Sequence, residues 1–211
     1  MSVLNKLAQL LLLGCVIAAP AYADDGANSD LAGHFQVRLR GLGVLPDPKA
    51  TILVGGANIG GKTNISDSAV PEVDGTYFIT DHIGVEVIAA TTKHTVSNTV
   101  AGRVSSVWLL PPTVTAQWHF DPTGPFRPYV GAGINYTFFY SPNSALNNIR
   151  FKDNIGWALQ AGADVPWGDD GKFLNFDVKK LFLPTTITAT GVSAHARLDP
   201  WIIGGGIGIR F

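Results

Sequence analysis

The chain has 211 residues, of which 46 % are apolar and only 15 % are charged, and its formal net charge is −1. A balance this close to neutral argues against nucleic-acid binding, which requires a basic surface. The charged fraction lies well below the roughly 25 % of ordinary soluble domains. Beyond the N-terminal segment, Gly, Pro or a charged residue interrupts every apolar run before it reaches the length of a membrane helix. These bounds favour a membrane protein built from strands.

Residues 1–23 are predicted to be a secretory signal. Lys6 precedes an apolar run, and Ala21-Tyr22-Ala23 supplies the small residues of a cleavage site. We therefore expect removal after Ala23 and a single mature domain over 24–211. An alternative is a lipoprotein box at 12–15, in which Cys15 becomes the acylated N-terminus. Cys15 is the only cysteine, so under the first interpretation the mature chain has no thiol for a disulfide or a metal site.

Eight segments alternate between apolar residues and polar or small ones, with the period of two that is typical of a β-strand. In the first, Val37 and Leu39 oppose Arg38 and Arg40. Arginines that alternate with apolar residues indicate a strand between lipid and a polar lumen. The segments are predicted at 35–42, 70–80, 83–92, 107–120, 127–139, 155–165, from 173 onwards, and 201–211.

Two of these segments carry additional information. The fourth contains Pro111-Pro112, which cannot donate ladder hydrogen bonds, so strand pairing is predicted to weaken or bulge there. The eighth places apolar residues on one face, ending in the aromatic Phe211, and glycines with Arg210 on the other. This pattern is typical of the closing strand of an outer-membrane barrel, with lipid outside and a narrow lumen inside.

The connections alternate in length. Short links are predicted at 81–82, 121–125 and 166–172, and long ones near 43–69, 93–106, 140–154 and 184–199. The predicted fold class is therefore all-β: an eight-stranded antiparallel transmembrane β-barrel with short periplasmic turns and long extracellular loops. The glycine pairs Gly55-Gly56 and Gly60-Gly61 indicate that the first long loop is flexible.

Charged residues on the inner series of the strands are expected to form ion pairs in the lumen. Because both signs are present and an eight-stranded lumen is narrow, we favour a plug that stabilises the barrel over an ion path. The predicted plug consists of Arg38, Arg40, Glu72, Asp74, Glu86, Asp177, Lys179 and Arg210.

Several sequence blocks resemble the OmpW family of small outer-membrane proteins. They are VRLRGLGVLP at 37–46, ISDS at 65–68, VPE at 70–72, VWLLPPT at 107–113 and RPYVGAGINYT at 127–137, together with the terminal Phe211. The resemblance implies an eight-stranded barrel with a narrow, largely apolar upper lumen. It also implies passage of small hydrophobic molecules towards a lateral opening, as in the related alkane-uptake barrels. Gly75 departs from the bulkier apolar residue expected in the second strand.

Apolar residues near the extracellular end of the lumen are candidates for a solute path. An apolar molecule that descends a plugged barrel must leave sideways, which requires strands whose hydrogen bonding is locally missing. Pro111 and Pro112 are the predicted lateral opening. The predicted path residues are Leu42, Val44, Phe78, Ile88, Trp108, Leu110 and Phe139.

No catalytic, cofactor or metal motif emerges, so we expect a protein that is not an enzyme. Ser105 or Ser106 near His94 is the only loose candidate for a barrel hydrolase. The leading hypothesis is a passive outer-membrane channel for small hydrophobic molecules. The alternative is a structural, receptor or adhesive barrel that acts through its extracellular loops. Expected partners are outer-membrane lipid, small hydrophobic solutes and the barrel assembly machinery, through the terminal aromatic Phe211.

Overall fold

A computed structural model describes residues 31–144, 148–168 and 170–211. The predicted signal, its cleavage site and Cys15 lie outside these residues. In this part of the chain, no helix is long and apolar enough to cross a membrane. The strands are β1 Phe35–Leu45, β2 Lys49–Val54, β3 Ala57–Asn58, β4 Thr63–Ile65, β5 Ser68–Phe78, β6 Ile83–Ala90, β7 Thr92–Asn98, β8 Gly102–Leu110, β9 Thr113–His119, β10 Arg127–Ser144, β11 Arg150–Phe151, β12 Asn154–Pro166, β13 Lys172–Phe182, β14 Pro184–Ala189, β15 Val192–Arg197 and β16 Trp201–Arg210.

Eight of these strands close into an antiparallel barrel. The order around the wall is β1, β5, β6, β9, β10, β12, β13 and β16, and β16 pairs with β1 to complete the ring. The closing pair runs from Gln36 opposite Arg210 to Leu45 opposite Trp201. The predicted fold class, and the partnership of the first and last strands, are confirmed.

The alternation in the sequence separates the two faces of the wall. In β1, Leu39 is 54 % exposed on the outside, whereas its neighbours Arg38 and Arg40 are 0 % and 2 % exposed in the lumen. A closed barrel turns every second residue inwards, so the period of two becomes an apolar coat around a polar interior. Exposed aromatic residues mark the two ends of this coat: Trp118 and Phe211 at the end with short turns, and Tyr136, Trp157 and Trp201 at the other.

Inner glycines of β16 allow the neighbouring backbone and bulky lumenal side chains to come close. Gly206 lies opposite Arg40 in the closing ladder. A Cβ atom at Gly206 would collide with the carbonyl oxygen of Leu39 and would lie 2.7 Å from Cα of Arg40. Gly75, by contrast, faces open space on the outer wall, where the nearest atom to a Cβ is the carbonyl oxygen of Gln36 at 4.0 Å.

The long connections are largely strand rather than loop, which corrects the expectation of a flexible segment over 43–69. Beyond the barrel wall, β4, β7, β8 and the end of β10 form one sheet, and β3, β2, β15, β14 and β11 form a second. Gly55 and Gly56 adopt positive φ angles of 57° and 86° in the turn between β2 and β3, where glycine is sterically favoured. We call the sheet of β4, β7, β8 and the end of β10 the first extracellular sheet, and the sheet of β3, β2, β15, β14 and β11 the second extracellular sheet.

The polarity of the strands is inverted in these two sheets. In β2, Ile52 faces the space between the sheets, while Lys49 and Thr51 point away from it. Water replaces lipid outside the sheets, so the apolar residues turn inwards. The alternation of these segments therefore has the opposite meaning from that of the barrel strands.

We predict that Gly206→Ala lowers the free energy of unfolding by about 1–3 kcal/mol, because the added methyl group meets backbone atoms of β1. The matched control is Gly41→Ala on the outer face of β1, where a Cβ meets no atom within 4 Å, and its effect should stay within about 0.5 kcal/mol. Urea unfolding in lipid vesicles measures both. Equal stability of the two variants would contradict the packing described for the closing pair.

Candidate functional site

A buried ion-pair cluster fills the middle of the lumen. Arg38 on β1 is its centre: Nε donates to Oδ1 of Asp74 at 2.7 Å, and Nη2 donates to Oε1 of Glu86 at 2.5 Å. Nη2 also donates to the hydroxyl of Thr76 at 3.1 Å, and Nη1 to the hydroxyl of Tyr129 at 3.3 Å. All three nitrogens of this guanidinium therefore face groups on the lumenal side of β5, β6 and β10.

Arg40 and Lys179 extend the cluster towards the extracellular end. Nε of Arg40 donates to Oε1 of Glu72 at 2.7 Å, and Nη2 lies 2.9 Å from Oδ2 of Asp74. Lys179 on β13 donates to Asp177 at 2.7 Å and lies 3.9 Å from Glu86. Side chains from β1, β5, β6 and β13 thus meet across the barrel, and each charge has an opposite charge within reach.

Arg210 lies in a separate layer near the end with short turns. Its Nη2 donates to Oε1 of Gln36 at 2.8 Å and lies 3.8 Å from Oδ2 of Asp164. The guanidinium carbon lies 5.2 Å from the ring centroid of Phe78 and 5.8 Å from that of Phe173. Arg210 is therefore lumenal, but Asp164 lies between it and the main cluster.

Asp164 is a cluster residue that the predicted set omits. It is fully buried, accepts a hydrogen bond from Asn175 at 2.7 Å and lies 3.9 Å from Nη1 of Arg38. Tyr129 also belongs here, since its hydroxyl donates to Asp177 at 2.9 Å. Both residues lie on the inner series of their segments, so the alternation in the sequence contained the signal for them.

An apolar cavity begins directly above the cluster. Its volume is about 40 Å³, and Glu72 and Lys179 form its charged floor. The wall contains Pro111, and the remaining lining is mostly aliphatic: Leu42, Val44, Ile88, Leu109, Leu181, Leu183, Leu198 and Ile202.

A larger apolar chamber of about 280 Å³ lies between the two extracellular sheets. We call the smaller space above the cluster the lower cavity and the larger one the chamber. His94, Leu109 and Leu198 line both spaces, so the chamber continues into the lower cavity. One wall contains Val96, Val104 and Val107 of the first sheet. The opposite wall is Ile52, Val54, Ile187, Val192, Ala194 and Ala196 of the second, with the stacked rings of Phe139 and Phe151 at one side.

The structure places only some of the predicted path residues along these spaces. Leu42, Val44 and Ile88 line the lower cavity, and Phe139 lines the chamber. Phe78 is lumenal but lies at the opposite end, with its ring 4.9 Å from that of His119. Trp108 and Leu110 line neither space, because the inward positions of β8 are occupied by their neighbours Val107 and Leu109.

His94 is the one imidazole in the lining of both spaces. Its Nδ1 lies 2.6 Å from the carbonyl oxygen of Ser66, and its Nε2 lies 3.1 Å from the hydroxyl of Thr92. Burial lowers the pKa of His94, so the ring is neutral near neutral pH. Ser105 donates to the carbonyl oxygens of Ser106 and Asn143 rather than to His94. These contacts do not pair Ser105 with His94, as a barrel hydrolase built on these residues would require.

The wall beside the lower cavity contains a break in strand pairing. The ladder between β6 and β9 ends with Ile88 opposite Thr113, and the ladder between β7 and β8 resumes with Thr92 opposite Leu109. Residues 89–91 and 110–112 therefore face each other without ladder pairs. The hydroxyl of Thr91 donates to the carbonyl oxygen of Leu109 at 3.1 Å.

The backbone around Pro111 and Pro112 lacks strand pairing only towards residues 89–91. On the other side of the proline pair, the amide of Tyr136 donates to the carbonyl oxygen of Pro112 at 3.0 Å, which holds β10 against it. In a strand the nitrogen and the carbonyl of one residue point to the same side, so Pro112 faces β10, and its neighbour Pro111 is the residue that faces β6. Proline has no amide hydrogen, so Pro111 cannot donate across the gap towards β6. Weakened pairing at this site, expected from the sequence, is present.

We predict that Arg38→Met lowers the free energy of unfolding by about 3–5 kcal/mol, because it leaves Asp74 and Glu86 buried without their main counter-charge. The matched control is Lys172→Met, which breaks an ion pair to Asp170 in which the side chains are 54 % and 76 % exposed, and should cost less than about 1 kcal/mol. Unfolding by urea in vesicles, followed by tryptophan fluorescence, compares them. If Arg38→Met proved no more harmful than Lys172→Met, the cluster would not stabilise the barrel.

Comparison with known proteins places the chain in a family. The model of the OmpW family matches residues 31–211. An uncharacterized outer-membrane protein of Sinorhizobium fredii is 40 % identical, with 90 % of this chain and 85 % of that protein covered. Outer membrane protein W of Escherichia coli is 36 % identical over 92 % of this chain and 96 % of its own length. The dibenzothiophene metabolism operon protein PahQ of Pseudomonas aeruginosa is 29 % identical, with 92 % and 93 % covered.

Solved structures show the same fold. The crystal structure of OprG from Pseudomonas aeruginosa superimposes with a TM-score of 0.79 at 26 % identity, covering 85 % of this chain and 96 % of OprG. The solid-state NMR structure of AlkL in lipid bilayers gives a TM-score of 0.67 at 22 % identity, with 92 % and 96 % covered. With a closed eight-stranded barrel and a family match over the whole described region, this chain belongs to the OmpW family and is a protein of the outer membrane.

Proposed function

We propose that this barrel is a passive channel for small hydrophobic molecules. A solute enters the chamber between the two extracellular sheets, descends into the lower cavity and leaves through the wall break into the membrane. One observation carries the proposal: the apolar lining ends at the ion-pair cluster, immediately beside the strand segment that lacks ladder pairs.

The size and lining of the chamber support solutes of small volume. Its volume of about 280 Å³ is near the lower end of the roughly 300–1,000 Å³ range of pockets for drug-sized ligands. Because most of the lining is aliphatic or aromatic, transfer of an apolar surface from water is favourable by about 25 cal/mol per Å². A polar solute would lose its hydration there without finding equivalent partners.

The ion-pair cluster supports a lateral exit. Arg38 and Arg40 are buried together with Asp74 and Glu86, so the barrel below Glu72 is occupied by tightly paired charges. An apolar molecule cannot replace these interactions, and the route straight through the lumen is therefore unfavourable. In hydrocarbon, every unpaired backbone group is costly, so a wall opens most readily where pairing is already missing.

The relative named for a dibenzothiophene metabolism operon supports the same class of solute, since dibenzothiophene is a compact apolar aromatic compound. A receptor or adhesive role remains the second candidate, because the hairpins of both extracellular sheets extend beyond the membrane wall. Deletion of the tip over 55–61 distinguishes the two: a receptor that binds through this tip loses its partner, whereas the chamber loses only Ile59 from its lining.

We predict that Leu109→Asp reduces the entry of an apolar dye into proteoliposomes by about tenfold or more, because it places a carboxylate where the chamber meets the lower cavity. The matched control is Val100→Asp, at a position that is 66 % exposed in the turn between β7 and β8, and it should retain the wild-type rate. The assay follows the fluorescence of the dye as it enters the vesicle membrane. Wild-type entry at the rate of empty liposomes would refute the channel.

We also predict that Pro111→Val/Pro112→Val slows dye transfer into the membrane several-fold. Valine at 111 supplies an amide donor towards β6, and valine at both positions favours a strand, so the break can close. Pro128→Val is the matched control, since Pro128 lies in the wall strand β10 near its other end. A rate that is unchanged by the double substitution would exclude an exit at the proline pair.

A further inference from the structure

The outward face of the second extracellular sheet carries a concentration of basic residues. Ala50 and Ala196 line the chamber, so their strand neighbours Lys49 and Arg197 point to the opposite face. Phe151 also lines the chamber, so its two chain neighbours point to the outward face. These are Arg150 of β11 and Lys152, which directly follows β11, and both side chains are exposed.

Two of these cations are direct cross-strand neighbours. Lys49 lies opposite Arg197 in the ladder between β2 and β15. Like charges at directly paired positions destabilise a sheet unless something neutralises them. Asp199 lies 3.0 Å from Nη2 of Arg197, but among the described residues Lys49 and Lys152 make no ion pair. Asp47 is exposed nearby, and the face remains short of negative charge.

A groove lies on the same face. Its volume is about 440 Å³, and it opens to the outside of the molecule rather than to the chamber. The basic side chains of Lys49 and Arg197 line this groove. Beside them are side chains that can donate hydrogen bonds: Thr51, Asn154, Thr186 and His195. Positive charge together with hydroxyl and amide donors is the chemistry that binds a phosphate group.

The groove begins where the apolar coat of the barrel ends. Trp157 and Trp201 are 67 % and 49 % exposed on the outer wall, as is typical of residues at a membrane interface. Nζ of Lys180 lies 4.9 Å from the ring centroid of Trp201 and donates to the carbonyl oxygen of Asp199, adjacent to Pro200 and the end of β15. The groove is therefore at the level of lipid headgroups.

The first extracellular sheet lacks an equivalent face. Its outward cations in the described residues are Lys93, whose Nζ lies over the ring of Trp108 at 5.5 Å, Arg103 near the tip of the hairpin, and Lys62, immediately before β4. No two of these three cations are cross-strand neighbours, in contrast to Lys49 and Arg197 on the second sheet.

We propose that this groove binds the phosphate groups of the phosphorylated glycolipid that forms the outer leaflet of the outer membrane. Lys49 and Arg197 hold one phosphate between them, and Lys152 with Thr186 and His195 contacts the neighbouring headgroup surface. The acyl chains of the same lipid lie along the apolar wall below, against Trp201 and Ile203. This inference is independent of solute transport through the chamber.

The test compares the full-length protein with Lys49→Gln/Lys152→Gln/Arg197→Gln in detergent micelles. Each basic residue near an anionic lipid surface contributes roughly fivefold in affinity, so the triple variant should bind bisphosphorylated lipid A at least about tenfold more weakly. Native mass spectrometry measures the retained lipid. Heat-dependent mobility on gels establishes that each variant is a folded barrel.

The matched control is Lys93→Gln/Arg103→Gln, which removes positive charge from the first extracellular sheet and should change the affinity by less than about twofold. Dephosphorylated lipid A should bind wild type and triple variant equally weakly. Equal loss in both multiple variants would show diffuse electrostatic attraction and overturn the site. Undiminished binding of the dephosphorylated lipid, or displacement of lipid A by an equimolar amount of inorganic phosphate, would overturn it as well.

Discussion

The narrowness of a closed eight-stranded barrel governs the rest of this molecule. Its lumen is only wide enough to be filled by side chains, and here the filling is a set of paired charges around Arg38. The adjacent strand β16 carries small residues on its inner side, because a Cβ atom at Gly206 would meet the backbone of Leu39 and Arg40 and one at Gly208 would meet the ring of Phe173. The cluster also divides the lumen, so that any apolar space above it has no continuation below.

The surroundings of the wall change at the membrane boundary, and the strands respond by reversing their polarity. In β1 the apolar side chains face lipid and the arginines face the lumen, whereas in β2 Lys49 faces outwards and Ile52 faces the chamber. The same barrel therefore contains a polar interior within the membrane and an apolar one outside it. This reversal creates a hydrophobic space between the two extracellular sheets.

Alternation in the sequence was sufficient to predict the eight wall strands and the pairing of β1 with β16, because lipid on one face makes the pattern strong. The same alternation places Val107 and Leu109 inwards, because they share the parity of Thr113 and Thr115, and it gives the predicted path residue Trp108 the opposite parity. The sequence of the extracellular hairpins predicts loops rather than strands, because its alternation is inverted and rich in Thr and Ser. The extent of the wall break depends on the register between separate strands, which no local pattern encodes.

If the channel exists as proposed, the chamber, the lower cavity and the wall break form one route above the ion-pair cluster. The most direct measurement is a crystal structure of the protein grown with a small brominated apolar solute, located by anomalous scattering. The account predicts bromine positions in the chamber between Leu109 and Leu198, and beside Pro111 at the break. Bromine found below Arg38 in the lumen, or only on the outer surface of the wall, would contradict it.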